Sequence, residues 1–283
     1  MKKYGLIAGF PLVLSLITGM MLGGCAAEED GKLKVVTSTA LIEHIIDRVG
    51  GDMVDVINII PPAQCPGHFD VKPGDVQKLA NAKIFLMHGW QGEQFTDELI
   101  SSANNPDLEI TVLNINGNWM TPTVQKQAAD AVTEVLAGAD SANKAAYEAL
   151  AAKYKSEIDA KGAEVQSRLS GENLGEVKVM CNEQIAGLVQ WFGFDVAGVY
   201  GRPDSLTPQV VKELVDKARA EGVVLFIDNL QSGADAAKQM AEELQVGQVT
   251  ITNFPGGYDG KGTWEKAIDY DVELLLNTLA KQQ

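Results

Sequence analysis

Short apolar runs alternate along the chain with stretches in which apolar residues recur three and four positions apart. Val35 and Val36 open a strand, and Leu41, Ile42, Ile45, Ile46 and Val49 then fall at helical spacing until Gly50-Gly51 stops them. Val54 to Ile60 reads as the next strand, Val76 to Ala80 as a helix, Ile84 to Met87 as a buried strand, Ile110 to Leu113 as another, and Val124 to Leu136 as a helix. From Asp140 to Leu169 the pattern changes. Tyr147, Leu150, Tyr154, Ile158, Val165 and Leu169 keep their spacing through a stretch rich in Ala, Lys and Glu, which predicts one helix of roughly 45 Å at 1.5 Å per residue. A second set follows: strands at Val177–Met180, Val196–Val199, Val223–Ile227 and Val249–Ile251, with helices at Ile185–Phe192, Val210–Ala220, Ala234–Leu244 and Trp264–Leu279.

Strands separated by helices pair in parallel, so the pattern predicts the α/β class. The expected architecture is two lobes with mainly parallel sheets (35–139 and 171–283) joined by one long rigid helix (140–170). Open parallel sheets bind ligands beyond the carboxyl ends of their strands, so any site is expected where those ends of the two lobes face each other.

The N-terminus departs from this pattern. Lys2 and Lys3 precede an uncharged run from Leu6 to Gly24, which reads as a signal peptide over residues 1–24. Leu22-Gly23-Gly24-Cys25 then places small residues before a cysteine and resembles a prokaryotic lipobox. That resemblance implies lipidation of Cys25, a polar tether over 25–34, and an extracytoplasmic location with anchorage to the membrane. A retained membrane anchor is the competing reading of the same run.

Charge narrows the partners. Lys and Arg number 23 against 38 Asp and Glu, a net charge of −15 over 283 residues. Removal of Lys2 and Lys3 with the signal peptide takes the exported chain to −17. A field of that sign repels phosphate backbones and excludes nucleic acid as a natural partner. No phosphate loop, nucleophile elbow or zinc-protease helix is present, so neither an enzyme nor a catalytic cofactor is expected.

A longer resemblance runs through the rest of the chain. Val49-Gly50-Gly51-Asp52-Met53-Val54-Asp55-Val56, Ile60-Pro61-Pro62 with a His-bearing loop, Pro73-Gly74-Asp75-Val76 and Trp119-Met120-Thr121-Pro122 keep an order and spacing similar to those of the zinc- and manganese-type substrate-binding lipoproteins of ABC importers. The long helix and Phe192-Gly193-Phe194 continue it. The resemblance implies a monomeric receptor that captures a transition metal as transported solute and hands it to a permease driven by a cytoplasmic ATPase. The same scaffold with an organic or chelated solute, and a surface adhesion lipoprotein, are the alternatives.

The candidate ligands follow from both readings. The family's ligand positions fall on His68, Gly117, Asn182 and Asn253, so three of the four lack a metal-binding side chain. Cys65 and His68 lie three apart on the loop after the second strand, and Cys181 lies at the end of the second lobe's first strand. Thiolate and imidazole together suit Zn or Cu(I), which makes His68, Cys65 and Cys181 the candidate metal ligands, with Glu183 as a fourth. A disulfide between Cys65 and Cys181, and free thiols, remain open. Asn182 and Asn253 point instead to a hydrogen-bonded solute, since a carboxamide both donates and accepts. Trp119, Trp90, His88 and Asp228 complete the candidate site, and His44, off the apolar stripe of its helix, reads as a solvated residue.

Overall fold

A computed structural model describes residues 31–282, and the signal peptide, Cys25 and the tether up to residue 30 lie outside the described residues. The first lobe runs β1 (Leu33–Thr37), α1 (Ala40–Gly50), β2 (Val54–Asn58), α2 (Pro73–Ala80), β3 (Ile84–Met87), α3 (Phe95–Ala103) and β4 (Glu109–Val112). Next come α4 (Pro122–Ala139) and the long α5 (Lys144–Leu169). The second lobe holds β5 (Lys178–Asn182), α6 (Ala186–Phe192), β6 (Asp195–Tyr200), α7 (Pro208–Glu221), β7 (Leu225–Asn229), α8 (Leu230–Gly233), α9 (Lys238–Leu244), β8 (Gly247–Ile251) and α10 (Trp264–Ala280).

Both sheets are four-stranded and parallel throughout, in the orders β2-β1-β3-β4 and β6-β5-β7-β8. The central β7 is buried along its whole length, as expected for a parallel strand covered on both faces. Local chemistry fixes the helix ends. Thr207 caps α7 by accepting from the Val210 N–H, Pro208 supplies a preset first turn, and Gly222 at φ 73° closes the helix in a conformation that glycine adopts without strain.

The expected α/β class, parallel sheets and long helix are present, and α5 is an unbroken helix of 26 residues, about 39 Å. The sequence pattern missed α3, whose Phe95–Ala103 stretch is short and half polar. It also starts a helix at residue 234, where the positive φ of Asp235 (62°) keeps the chain in a turn and α9 begins only at Lys238, and it misses the short α8 that ends at Gly233.

The lobes share more than a linking helix. One continuous apolar core takes in Leu41 and Ile45 of α1, Ala128 and Val132 of α4, Tyr154 and Ile158 of α5, Leu188 of α6, and Trp264 and Ile268 of α10. Two smaller clusters cover the outer faces, one around Phe85 and Leu99, the other around Met180 and Phe226. The described residues from Lys32 onward thus form one compact unit. Among the described residues no helix is long and apolar enough to cross a membrane.

His44 is a correction. It is 5% exposed, lies edge-on to Tyr154, accepts from the Trp264 N–H at 3.4 Å, and sits 3.7 Å from Glu265. The closing helix α10, distant in sequence, covers it. Burial lowers its pKa from 6.5 to about 4, against the opposing pull of Glu265. The folded state therefore refuses a proton that the unfolded chain accepts, so the stability present above pH 6.5 is lost as pH falls toward 4. At about 1.4 kcal/mol per pH unit, urea unfolding at pH 7 and pH 4.5 is expected to show wild type losing about 2–3 kcal/mol more than His44→Gln. Equal losses would refute this.

Candidate solute cleft between the lobes

The carboxyl ends of the strands converge on one cleft, which encloses about 710 Å³. Cys65 reaches it from the loop after β2, Trp90 and Gln94 from after β3, and Asn118 and Trp119 from after β4. The second lobe contributes Glu183 and Gln184 after β5, Arg202 after β6, Asn229 and Gln231 from β7 and α8, and Asn253 and Phe254 after β8. The strand-end rule thus holds for seven of the eight strands.

Carboxamides form the wall and bridge the lobes. Asn118 Oδ1 accepts from the Met120 N–H, while its Nδ2 donates to Asn253 Oδ1 at 2.8 Å and to the Gln184 carbonyl at 3.0 Å. Gln231 Nε2 donates to the Pro62 carbonyl at 2.8 Å and to Thr252 Oγ1, and its Oε1 accepts from the Asn253 N–H. Arg202 Nη1 donates across the cleft to Cys65 Sγ at 3.3 Å, and its Nε lies 3.8 Å from the exposed Asp204. Arg202 and Glu183 are the two charged side chains of the lining.

The aromatic wall stands on a buried support. Trp90 stacks on His88 at 3.6 Å, with Trp119 edge-on to both and Phe254 parallel to Trp90 at 6.4 Å. His88 Nε2 is 2.7 Å from Thr39 Oγ1, Nδ1 has no protein partner, and burial holds the ring well below its ordinary pKa. Glu93 accepts from the N–H groups of His88, Gly89 and Trp90 and from the Ser38 hydroxyl.

Of the residues singled out in the sequence, Cys65, Trp90, Trp119, Glu183 and Asn253 line the cleft. His68 is exposed and does not line it. Cys181 sits in mid-strand between Val199 and Ile227, fully buried in the core, and burial pushes its thiol up to about 12. The structure places it outside the lining of the cleft, and Cys65 and Cys181 are not joined in a disulfide. Asn182 is turned inward, where Oδ1 caps the Gln184 N–H and Nδ2 donates to the Tyr200 and Gly201 carbonyls. Asp228 is buried behind the cleft, held by the Tyr200 hydroxyl, the Ala237 N–H and Gln248. His88 supports the wall from behind.

Among the described residues, no three His, Cys, Asp or Glu side chains come together in a way that could hold a metal ion. Gly117 shows one reason. Its φ of 107° is a glycine conformation, and a Cβ there would meet Val124 Cγ2 at 2.9 Å, so the backbone itself refuses a histidine. Sequence reasoning overlooked Arg202, Gln94 and Gln184 as site residues. Arg202 follows Val199-Tyr200-Gly201 at a strand end, and the strand-end rule applied to β6 points to it.

Comparison with known proteins agrees with the architecture. The family described as "Zinc-uptake complex component A periplasmic" (ZnuA) matches residues 35–278. The metal ABC transporter substrate-binding lipoprotein SsaB of Streptococcus sanguinis is 24% identical over 258 residues, covering 81% of this chain and 82% of its own. The manganese ABC transporter substrate-binding lipoprotein PsaA of Streptococcus mitis is 24% identical over 267 residues, with 81% and 82% covered. In fold, the chain is similar to the Cd-bound periplasmic metal binding protein of candidatus Liberibacter asiaticus, with a TM-score of 0.76 at 19% identity, covering 88% of this chain and 100% of the other.

Proposed function

The chain belongs to the ZnuA family of periplasmic zinc-uptake components, and from that premise we propose that it is the solute-capturing subunit of an ABC importer for a transition metal. The family consists of substrate-binding proteins, not enzymes, and the relatives named above are metal-transporter lipoproteins. The observation that carries the reading is the cleft at the carboxyl ends of two parallel sheets, where residues from both lobes can enclose a small solute.

Capture on this reading involves no covalent chemistry. The shared core through α1, α4, α5 and α10 keeps the lobes in fixed register, so closure is confined to the loops that carry Cys65, Trp90 and Arg202. The receptor works as a monomer, tethered through lipid on Cys25 outside the cytoplasm, and presents its cleft to a permease coupled to a cytoplasmic ATPase. The lipobox-like Leu22-Gly23-Gly24-Cys25 supports the anchor.

Deleting the gene in its own cell is expected to lower the cellular content of one transition metal at least twofold under metal restriction, as read by elemental mass spectrometry. The wild-type gene should restore it, and Cys25→Ser should not. Unchanged content of Zn, Mn, Fe, Ni and Cu in the deletion strain would overturn the reading.

A further inference from the structure

Three features of the cleft disagree with capture of a free metal ion. The first is its donor set. No group of three His, Cys, Asp or Glu side chains among the described residues can hold a cation, and Cys65 and Glu183 are the only lining residues of those types. A transition metal bound by protein alone takes three or four such ligands, and neutral carboxamides replace them poorly.

The second is charge. An acidic protein of net charge −15 places Arg202 in this cleft, with Nη1 3.3 Å from the Cys65 sulfur. A dication brought to that sulfur would meet the guanidinium in the same step. A carboxylate brought there would meet a donor fork matched to its two oxygens.

The third is size. About 710 Å³ lies in the range of sites for small organic molecules, and tryptophan and phenylalanine rings face it alongside the amides. The amides retain capacity for a ligand: among the described residues, Asn253 Nδ2 makes no hydrogen bond, nor do the side-chain groups of Gln184 and Gln94.

We propose that this cleft takes its metal as a small anionic chelate, with a chelator carboxylate on Arg202, its other polar atoms on Asn253 and Gln184, and its carbon skeleton against Trp90. The inference rests on the importer reading above and names the form of the cargo. The chelator fills the metal's coordination sphere, so the protein needs no ligand cluster of its own and recognises oxygens on the outside of the complex.

The test is calorimetric titration of the full-length chain, purified in detergent under reducing conditions without added metal. The probes are Zn(II), Mn(II) and Ni(II) as aquo ions, citrate and histidine alone, and each metal premixed with each chelator. At least one chelate is expected to bind one to one and at least tenfold more tightly than its ion or its chelator alone. Arg202→Gln should weaken that binding at least tenfold with a melting temperature within about 2 °C of wild type. Asn253→Asp, which adds negative charge, should weaken the chelate and strengthen the bare ion.

A bare ion that binds as tightly as its chelates overturns the inference and leaves the importer reading standing. A chelator that binds equally well without metal overturns the inference and leaves the importer reading to the deletion strain's metal content. No saturable binding by any probe overturns the inference, and the deletion strain's metal content then decides the importer reading separately.

Discussion

Replacing Trp264 by alanine is expected to lower stability by about 4–8 kcal/mol, a large share of the roughly 5–15 kcal/mol that a typical domain possesses. Trp264 opens α10 and is fully buried where the cores of the two lobes merge. Truncating a buried aromatic side chain costs about 3–5 kcal/mol through lost transfer energy and the cavity left behind. The Met120 carbonyl, which now accepts from the indole Nε1 at 2.8 Å, would also lose its partner, adding about 1–3 kcal/mol where it stays dry. Trp264→Phe keeps most of the volume and loses the donor, so it should cost about 1–3 kcal/mol. Urea unfolding followed by far-ultraviolet circular dichroism separates the two. A Trp264→Ala protein within 1 kcal/mol of wild type would show that α10 does not tie the lobes together.

This junction also explains which parts of the molecule could be read from the sequence. Helices and strands of the two lobes were legible because each has its own periodicity. The apolar stripe of α1, the unbroken runs of β3 and β7, and the repeat through Tyr147, Tyr154 and Ile158 of α5 are local patterns. The burial of His44 was not legible. It depends on Trp264, 220 positions away, and no pattern within α1 records the helix that will cover it. Tyr154 illustrates the same limit: its place in the helical repeat is legible, but not that its hydroxyl donates to Gln125 Oε1, whose Nε2 in turn holds the Trp119 carbonyl.

The cleft divides in the same way. Strand ends locate it, which is why Cys65, Glu183, Trp90, Trp119 and Asn253 were found. What strand ends do not give is the direction of a side chain. Cys181 and Asn182 differ from Glu183 by two residues and one, yet the first faces the core, the second caps a turn, and the third lines the cleft. His68 fails for another reason. It ends the short turn 66–68, which presents Cys65, Pro66 and Gly67 to the cleft and leaves the imidazole in solvent. Residue type points to a metal ligand, and turn geometry sets the side chain outside the lining.

Glu93 supports the second large effect. Its carboxylate is nearly inaccessible and accepts from the N–H groups of His88 at 3.2 Å, Gly89 at 2.7 Å and Trp90 at 3.2 Å, besides the Ser38 hydroxyl. Gly89 at φ 78° lets the chain turn tightly enough to aim three successive amides at one side chain. The turn sets Trp90 on the face of His88 and thereby builds the aromatic side of the cleft. Glu93→Ala strands three backbone donors in a dry site, besides the Ser38 hydroxyl, and at about 1–3 kcal/mol for each backbone donor the expected loss is about 3–5 kcal/mol after partial collapse. Glu93→Gln keeps one accepting oxygen but points an N–H₂ group at donors, so an intermediate loss of about 1–2 kcal/mol is expected. The pH response gives an independent check. Burial raises the Glu93 pKa above 4.5 despite its four donors, so its contribution falls as pH rises from 4.5 through the folded value. Glu93→Gln cannot titrate and should lose that slope. Both variants should also weaken solute capture at least tenfold, because Trp90 is no longer held at the wall. Unfolding titrations at pH 4.5 and pH 7, paired with calorimetric binding, measure all of this. Stability within 1 kcal/mol of wild type for Glu93→Ala, or unimpaired binding by a folded variant, would show that the turn at 88–90 holds itself without the carboxylate.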